Sequence, residues 1–97
     1  MTDTRAPHSP PVFDIDGSWR LNPQVALRGE AFGALAYHYG TRRLIFLKSR
    51  PLVDLVSSLD RYASAAEAIA ALIPVPERAD YGRALARLAA SEVIDAH

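Results

Sequence analysis

A chain of 97 residues with 11 basic and 11 acidic side chains has room for one small domain, and its formal net charge of zero gives it no electrostatic pull towards nucleic acid or an anionic membrane. It has no cysteine, which excludes disulfides, thiolate metal sites and a cysteine-ligated iron–sulfur cluster on this chain. No apolar run approaches a membrane span and the N-terminus lacks the apolar core of a secretory signal, so a cytoplasmic globular protein is expected.

Residues 1–11 carry Pro7, Pro10 and Pro11 among small and polar residues and are expected to be a disordered tail, leaving 12–97 as the folded domain. From Val12 to Leu21 the apolar residues follow no clean period. This stretch is expected to be an ordered arm lying over a sheet, with Asp14 and Asp16 as turn formers and Asn22-Pro23 as a turn.

Three strands follow, at about 24–28, 31–39 and 42–48, joined by Gly29-Glu30 and Gly40-Thr41 as two-residue hairpin turns. That register pairs Val25 with Ala34, Leu27 with Phe32, Leu35 with Phe46, Tyr37 with Leu44 and Tyr39 with Arg42. One face then collects Val25, Leu27, Phe32, Ala34, Ala36, Ile45 and Leu47, and the other Leu35, Tyr37, Tyr39, Leu44 and Phe46. A small antiparallel sheet ordinarily buries one face only. The second apolar face and the free edge must be covered in cis or in trans, which makes binding the first functional expectation.

Helical spacing begins at Leu52, with Leu55, Val56 and Leu59 on one stripe, Ser49 as N-cap and Pro51 in the first turn. Ser64 and Glu67 form a capping-box pattern ahead of Ala65, Ala68, Ile69 and Leu72, and Pro74 and Pro76 end that helix. A third helix, from about Glu77 to Ser91, turns Tyr81, Ala84, Leu85 and Leu88 inward, with Val93 and Ile94 pinning its end. The expected fold is α+β, a three-stranded antiparallel sheet followed by three helices in a winged-helix-like order.

Catalysis finds no support in the residues. His8, His38 and His97 share no metal-ligand spacing, His38 reads as a partly exposed strand residue, and no serine stands beside a base. Neither a catalytic residue, a metal site nor a cofactor is expected. A DNA-reading third helix would rest on Arg78, Arg83 and Arg87, but Glu77, Asp80 and Glu92 dilute them, so no nucleic-acid partner is expected. A homodimer closing its apolar sheet faces remains open.

From Trp19 the run Trp-Arg-Leu-Asn-Pro-Gln-Val-Ala-Leu-Arg, then from Phe32 Phe-Gly-Ala-Leu-Ala-Tyr-His-Tyr-Gly-Thr-Arg-Arg-Leu and Phe46-Leu47-Lys48, resembles the mycofactocin-system peptide chaperones. So does Leu-Ala-Arg-Leu-Ala-Ala-Ser from Leu85 to Ser91, and the likeness spans about residues 13–94. The wider group is the precursor-peptide recognition elements, which include the small chaperone of pyrroloquinoline quinone biosynthesis. The resemblance implies a non-enzymatic chaperone that captures the leader of a ribosomal precursor peptide and presents it to a radical S-adenosylmethionine maturase. It further implies that the leader adds as a strand beside Arg43, Leu44, Ile45, Phe46, Leu47 and Lys48, over a groove walled by Tyr81, Ala84, Leu85 and Leu88 of the third helix. Affinity then comes from backbone hydrogen bonds and specificity from alternate side-chain pockets, and a Pro at Ile45 is expected to abolish binding.

Overall fold

The computed structural model describes residues 12–97; the tail expected at 1–11 lies outside the described residues. The chain runs β1 (Trp19–Leu21), β2 (Val25–Glu30), β3 (Gly33–His38), β4 (Arg43–Leu47), α1 (Arg50–Ser58), α2 (Ala65–Leu72), α3 (Arg78–Ala90) and β5 (Ile94–Ala96), with short 3-10 turns at Leu59–Arg61 and Val75–Glu77. The α+β reading holds, and the antiparallel sheet has the order β2-β3-β4. A second sheet, not legible beforehand, pairs β1 with β5 antiparallel, Trp19 opposite Ala96 and Leu21 opposite Ile94. Arg20 and Asp95 join across that ladder at 3.0 Å.

Helix caps form where the side chains ask for them. Ser49 Oγ accepts from Leu52 N–H at 3.1 Å to open α1, and Ser64 Oγ accepts from Glu67 N–H at 3.1 Å to open α2. The first turn of α2 gains two further acceptors from the arm, since Ala65 N–H donates to the Gly17 carbonyl at 3.0 Å and Ala66 N–H to that of Ile15 at 2.8 Å. The arm therefore runs past the start of α2 and not over the three-stranded sheet, a correction to its expected place. Trp19 anchors it from below: its ring is buried, donates from Nε1 to the Asp14 carbonyl at 2.8 Å and packs on Phe13 with centroids 5.0 Å apart. Asp14 does form a turn, accepting from Asp16 N–H through Oδ1 and from Gly17 N–H through its carbonyl. Ser64→Ala is expected to lower stability by about 1 kcal/mol through the lost cap, read as a lower urea midpoint with an unchanged slope.

The first hairpin turns two residues later than its glycine dipeptide suggests. Glu30 faces Gly33 across Ala31-Phe32, so Val25 pairs with His38 and Leu27 with Ala36. Gly33 explains the displacement: its φ is +152°, and a Cβ there would strike the Leu47 carbonyl oxygen and stand 3.0 Å from Ser49 N. The chain needs its glycine at that close approach and not at Gly29, around which nothing lies within 4 Å. Because the register moves by an even number of residues, every side chain keeps its face. Only Phe32 leaves its expected place, moving from the buried face into the turn.

The second hairpin keeps Leu35 opposite Phe46 and Tyr37 opposite Leu44, but its ladder closes at His38 and Arg43. Tyr39 and Arg42 belong to the loop, where Arg42 takes the left-handed conformation at φ +65°. The helices cover the face that carries Val25, Ala34, Ala36 and Leu47. These residues share one core with Leu55, Val56 and Leu59 of the α1 segment, Ile69 of α2, Leu85 and Leu88 of α3, and Trp19, Val93 and Ile94. Burial of this kind contributes roughly 1.5–3 kcal/mol per large side chain before the entropy of ordering is charged against it.

Candidate functional site

With the helices on one side, the other face of the sheet is left open by the described residues. Leu44 and Phe46 of β4 are 55% and 53% exposed, and Phe32 in the neighbouring turn is 44% exposed. Phe32 and Phe46 lie 5.7 Å apart between centroids, which continues the apolar surface around the end of the sheet. Towards the middle, Ala26, Arg28, Leu35, Tyr37 and Leu44 line a shallow depression of about 270 Å³. Its basic residue, Arg28, is paired with Glu30 at 2.7 Å. The depression can hold apolar side chains and has few polar groups to orient a small reactant.

The outer margin of this surface is β4, which has β3 on one side and, among the described residues, no strand on the other. In an antiparallel ladder, successive residues point their backbone groups alternately inwards and outwards. The Leu47 carbonyl is directed at β3, as its encounter with a Cβ on Gly33 shows. Arg43, Ile45 and Leu47 thus spend their N–H and C=O groups on β3, while those of Leu44 and Phe46 face the free edge. Arg43 and Lys48 stand exposed at the ends of this strand, where charge discourages indiscriminate edge pairing.

One hydrogen bond ties α3 to the segment just past β4. Tyr81 Oη lies 3.1 Å from Ser49 Oγ, and Ser49 is also the N-cap of α1. Tyr81 and Ala84 are half-buried and remain reachable, as does Ile45 on the strand. Leu47, Leu85 and Leu88 lie in the core, at 0%, 0% and 6% exposure. Those three hold the strand and the helix in place, so the accessible part of the expected groove is Arg43 to Phe46, Lys48, Tyr81 and Ala84.

Several contributors were missed from the sequence. Ala26 and Arg28 on β2 line the open face, as alternation along the strand could have shown, and Phe32 packs on Phe46, which the misplaced turn concealed. Ser49 was legible only as a cap. His38 is 3% exposed rather than partly exposed, because its ring sits under the β3–β4 loop and accepts from Gly40 and Thr41 N–H groups.

The arginines of α3 are partly committed within the domain. Arg78 donates to the carbonyls of Ile73 and Ala70, at 2.8 and 3.1 Å, and Arg83 pairs with Asp80. Among the described residues, no group of three or more His, Asp or Glu side chains is placed to hold a metal ion, and no helix is long and apolar enough to cross a membrane.

Comparison with known proteins gives this edge its context. The family described as "Peptide chaperone MftB family" matches residues 18–95. Peptide chaperone MftB of Mycolicibacterium smegmatis is 48% identical over 84 residues, covering 86% of this chain and 82% of that protein. The protein of the same name from Mycobacterium ulcerans is 47% identical over 84 residues, covering 86% and 77%. That of Mycobacterium tuberculosis is 58% identical over 50 residues, covering 52% and 46%. No solved structure matches the chain. With the family match running from the residue before β1 into β5, this chain belongs to the MftB peptide chaperone family.

Proposed function

We propose that this chain captures the leader of a ribosomally made precursor peptide by strand addition along β4 and presents it to a radical S-adenosylmethionine maturase in mycofactocin biosynthesis, in the cytoplasm. The observation that carries this reading is the outward-facing backbone of Leu44 and Phe46 on a strand with no outer neighbour among the described residues. A peptide laid there gains main-chain hydrogen bonds and places alternate side chains towards Phe32, Leu44 and Phe46 or towards Ile45, Tyr81 and Ala84. The iron–sulfur cluster and the oxidative chemistry belong to the maturase, and this chain contributes capture and orientation. An edge of this length supports micromolar to sub-micromolar affinity, about −8 to −10 kcal/mol.

Calorimetric titration with a synthetic mycofactocin precursor peptide, intact and leader-truncated, tests this function. Saturable heat with the intact peptide, lost on removing the leader, is the expected result. Absence of saturable binding to either peptide would overturn the proposal.

The exposed Phe32, Leu44 and Phe46 favour a second, compatible reading, in which the open face closes against another copy of the chain. Sedimentation velocity across a concentration series is expected to show reversible association that Leu44→Asp abolishes without loss of fold. A sedimentation coefficient independent of concentration would dismiss this reading.

A further inference from the structure

His38 stands on the last rung of the β3–β4 ladder, opposite Arg43, and its ring is almost wholly buried. Nδ1 lies 3.0 Å from the backbone N of Gly40 and 3.1 Å from that of Thr41, and both N–H groups donate to it. Nε2 lies 3.3 Å from Asn22 Nδ2. The Asn22 amide is oriented by its other bonds, since Oδ1 accepts from Gln24 N–H at 2.9 Å and Nδ2 donates to the Glu92 carbonyl at 3.0 Å. All three groups facing the ring are therefore donors. A neutral imidazole offers one acceptor nitrogen; the two backbone donors claim Nδ1, which leaves the ring proton on Nε2 and makes the 3.3 Å approach of Asn22 Nδ2 a packing contact, not a hydrogen bond. An imidazolium offers none, and would set its Nδ1–H against the Gly40 and Thr41 N–H groups.

We propose that neutral His38 is a proton-sensitive clasp that holds the β3–β4 turn, and that protonation releases the turn and with it the start of the β4 edge. The turn packs closely on the ring and on Gln24: a Cβ on Gly40 would strike Gln24 Oε1 and stand 2.9 Å from the ring Cε1, and Arg42 N–H donates to the His38 carbonyl at 2.8 Å. The surroundings do not compensate a second ring proton. Cross-strand, β2 presents the apolar Val25 and β4 the cationic Arg43. From the α3–β5 corner comes Glu92, whose backbone carbonyl accepts from Asn22 Nδ2 and whose carboxylate forms no ion pair with the ring. On the helical side α1 turns Leu55 and Val56 inward and keeps Arg50 and Asp54 exposed. None of the ion pairs among the described residues involves the ring.

Amide hydrogen exchange by NMR on the full chain reads the clasp with no peptide present. Between about pH 8 and about pH 5, protection factors of the Gly40 and Thr41 amides are expected to fall at least ~10-fold while that of Ala36 holds. His38→Asn keeps an acceptor near the Nδ1 position and cannot ionise in this span, so its protection is expected to be equal at both pH values; His38→Leu should lack protection at both. Protection in the native chain that does not change with pH, or that falls equally in His38→Asn, would overturn the proposal. Should the Asn variant not fold, ring ¹⁵N shifts of the native protein decide: an unprotonated Nδ1 at the higher pH supports the clasp and a protonated one overturns it. The consequence for capture rests on the strand-addition reading, with peptide affinity expected to follow amide protection down. Protection that falls while affinity stays constant supports the clasp and counts against β4 as the docking edge.

Discussion

Phe46→Pro is expected to leave the chain folded and to weaken capture of a precursor peptide by ~10–100-fold, equivalent to the loss of one or two main-chain hydrogen bonds and their register. Phe46 points its N–H away from β3, so a Pro there removes no bond from the existing ladder, and an edge position tolerates its fixed φ. An incoming strand, by contrast, loses a donor and meets the pyrrolidine ring. Phe46→Ala separates the two contributions, because it removes the side chain and keeps the N–H. The Pro probe that the sequence alone suggests, Ile45→Pro, falls on the inward-facing alternation opposite Ala36. It should break the β3–β4 ladder and destabilise the fold, making its loss of binding uninformative. Titration of the folded Phe46 variants gives the comparison: full affinity in Phe46→Pro would sink the edge mechanism.

Gly33→Ala is expected to destabilise the domain by about 3 kcal/mol, a large share of what a domain of this size holds in reserve. Its φ of +152° penalises any Cβ, and the added atom would meet the Leu47 carbonyl and lie 3.1 Å from the Leu47 carbonyl carbon. Both contacts are backbone, so relief requires β3 and β4 to part at the end where Ser49 caps α1 and binds Tyr81. The damage should therefore reach the α3 wall as well as the ladder. Gly29→Ala provides the contrast. With nothing within 4 Å of its Cβ, it should change stability by no more than about 0.5 kcal/mol. Urea denaturation of both variants checks the pair, and equal midpoints would contradict the assignment of the turn to Ala31-Phe32.

The elements most legible in the sequence were those whose cause is local. Ser49 and Ser64 cap α1 and α2 because a hydroxyl one residue ahead of an apolar period has few better uses, and the stripes beginning at Leu52 and Ala65 follow from helical spacing. The two faces of the sheet were legible because side-chain alternation survives any even error in register. The hairpin itself was not, since Gly29 sits in a plausible turn dipeptide while the decisive constraint, the approach of the Leu47 carbonyl to Gly33, joins residues distant in sequence. The β1–β5 pairing was hidden for the same reason: strands of three residues at opposite ends of the domain carry no pattern of their own. Within the site, Leu44 and Phe46 were placed correctly as apolar residues on the face away from Val25. Helical spacing turned Leu85 and Leu88 inward, but strand alternation alone could not show that Leu47 lies on the covered face of the sheet, because it does not reveal which side the helices take. His38 looked ordinary because its role depends on two backbone donors contributed by the loop after it.

Amide exchange of Leu44 and Phe46, measured with and without the intact precursor peptide, tests strand addition at β4 most directly. In the free chain these two amides face the open edge and should exchange rapidly, whereas that of Ile45 is held by β3. Saturating peptide should slow Leu44 and Phe46 together and bring cross-strand contacts between the peptide and β4. Peptide that binds while both amides continue to exchange freely would show that capture takes place elsewhere on the chain.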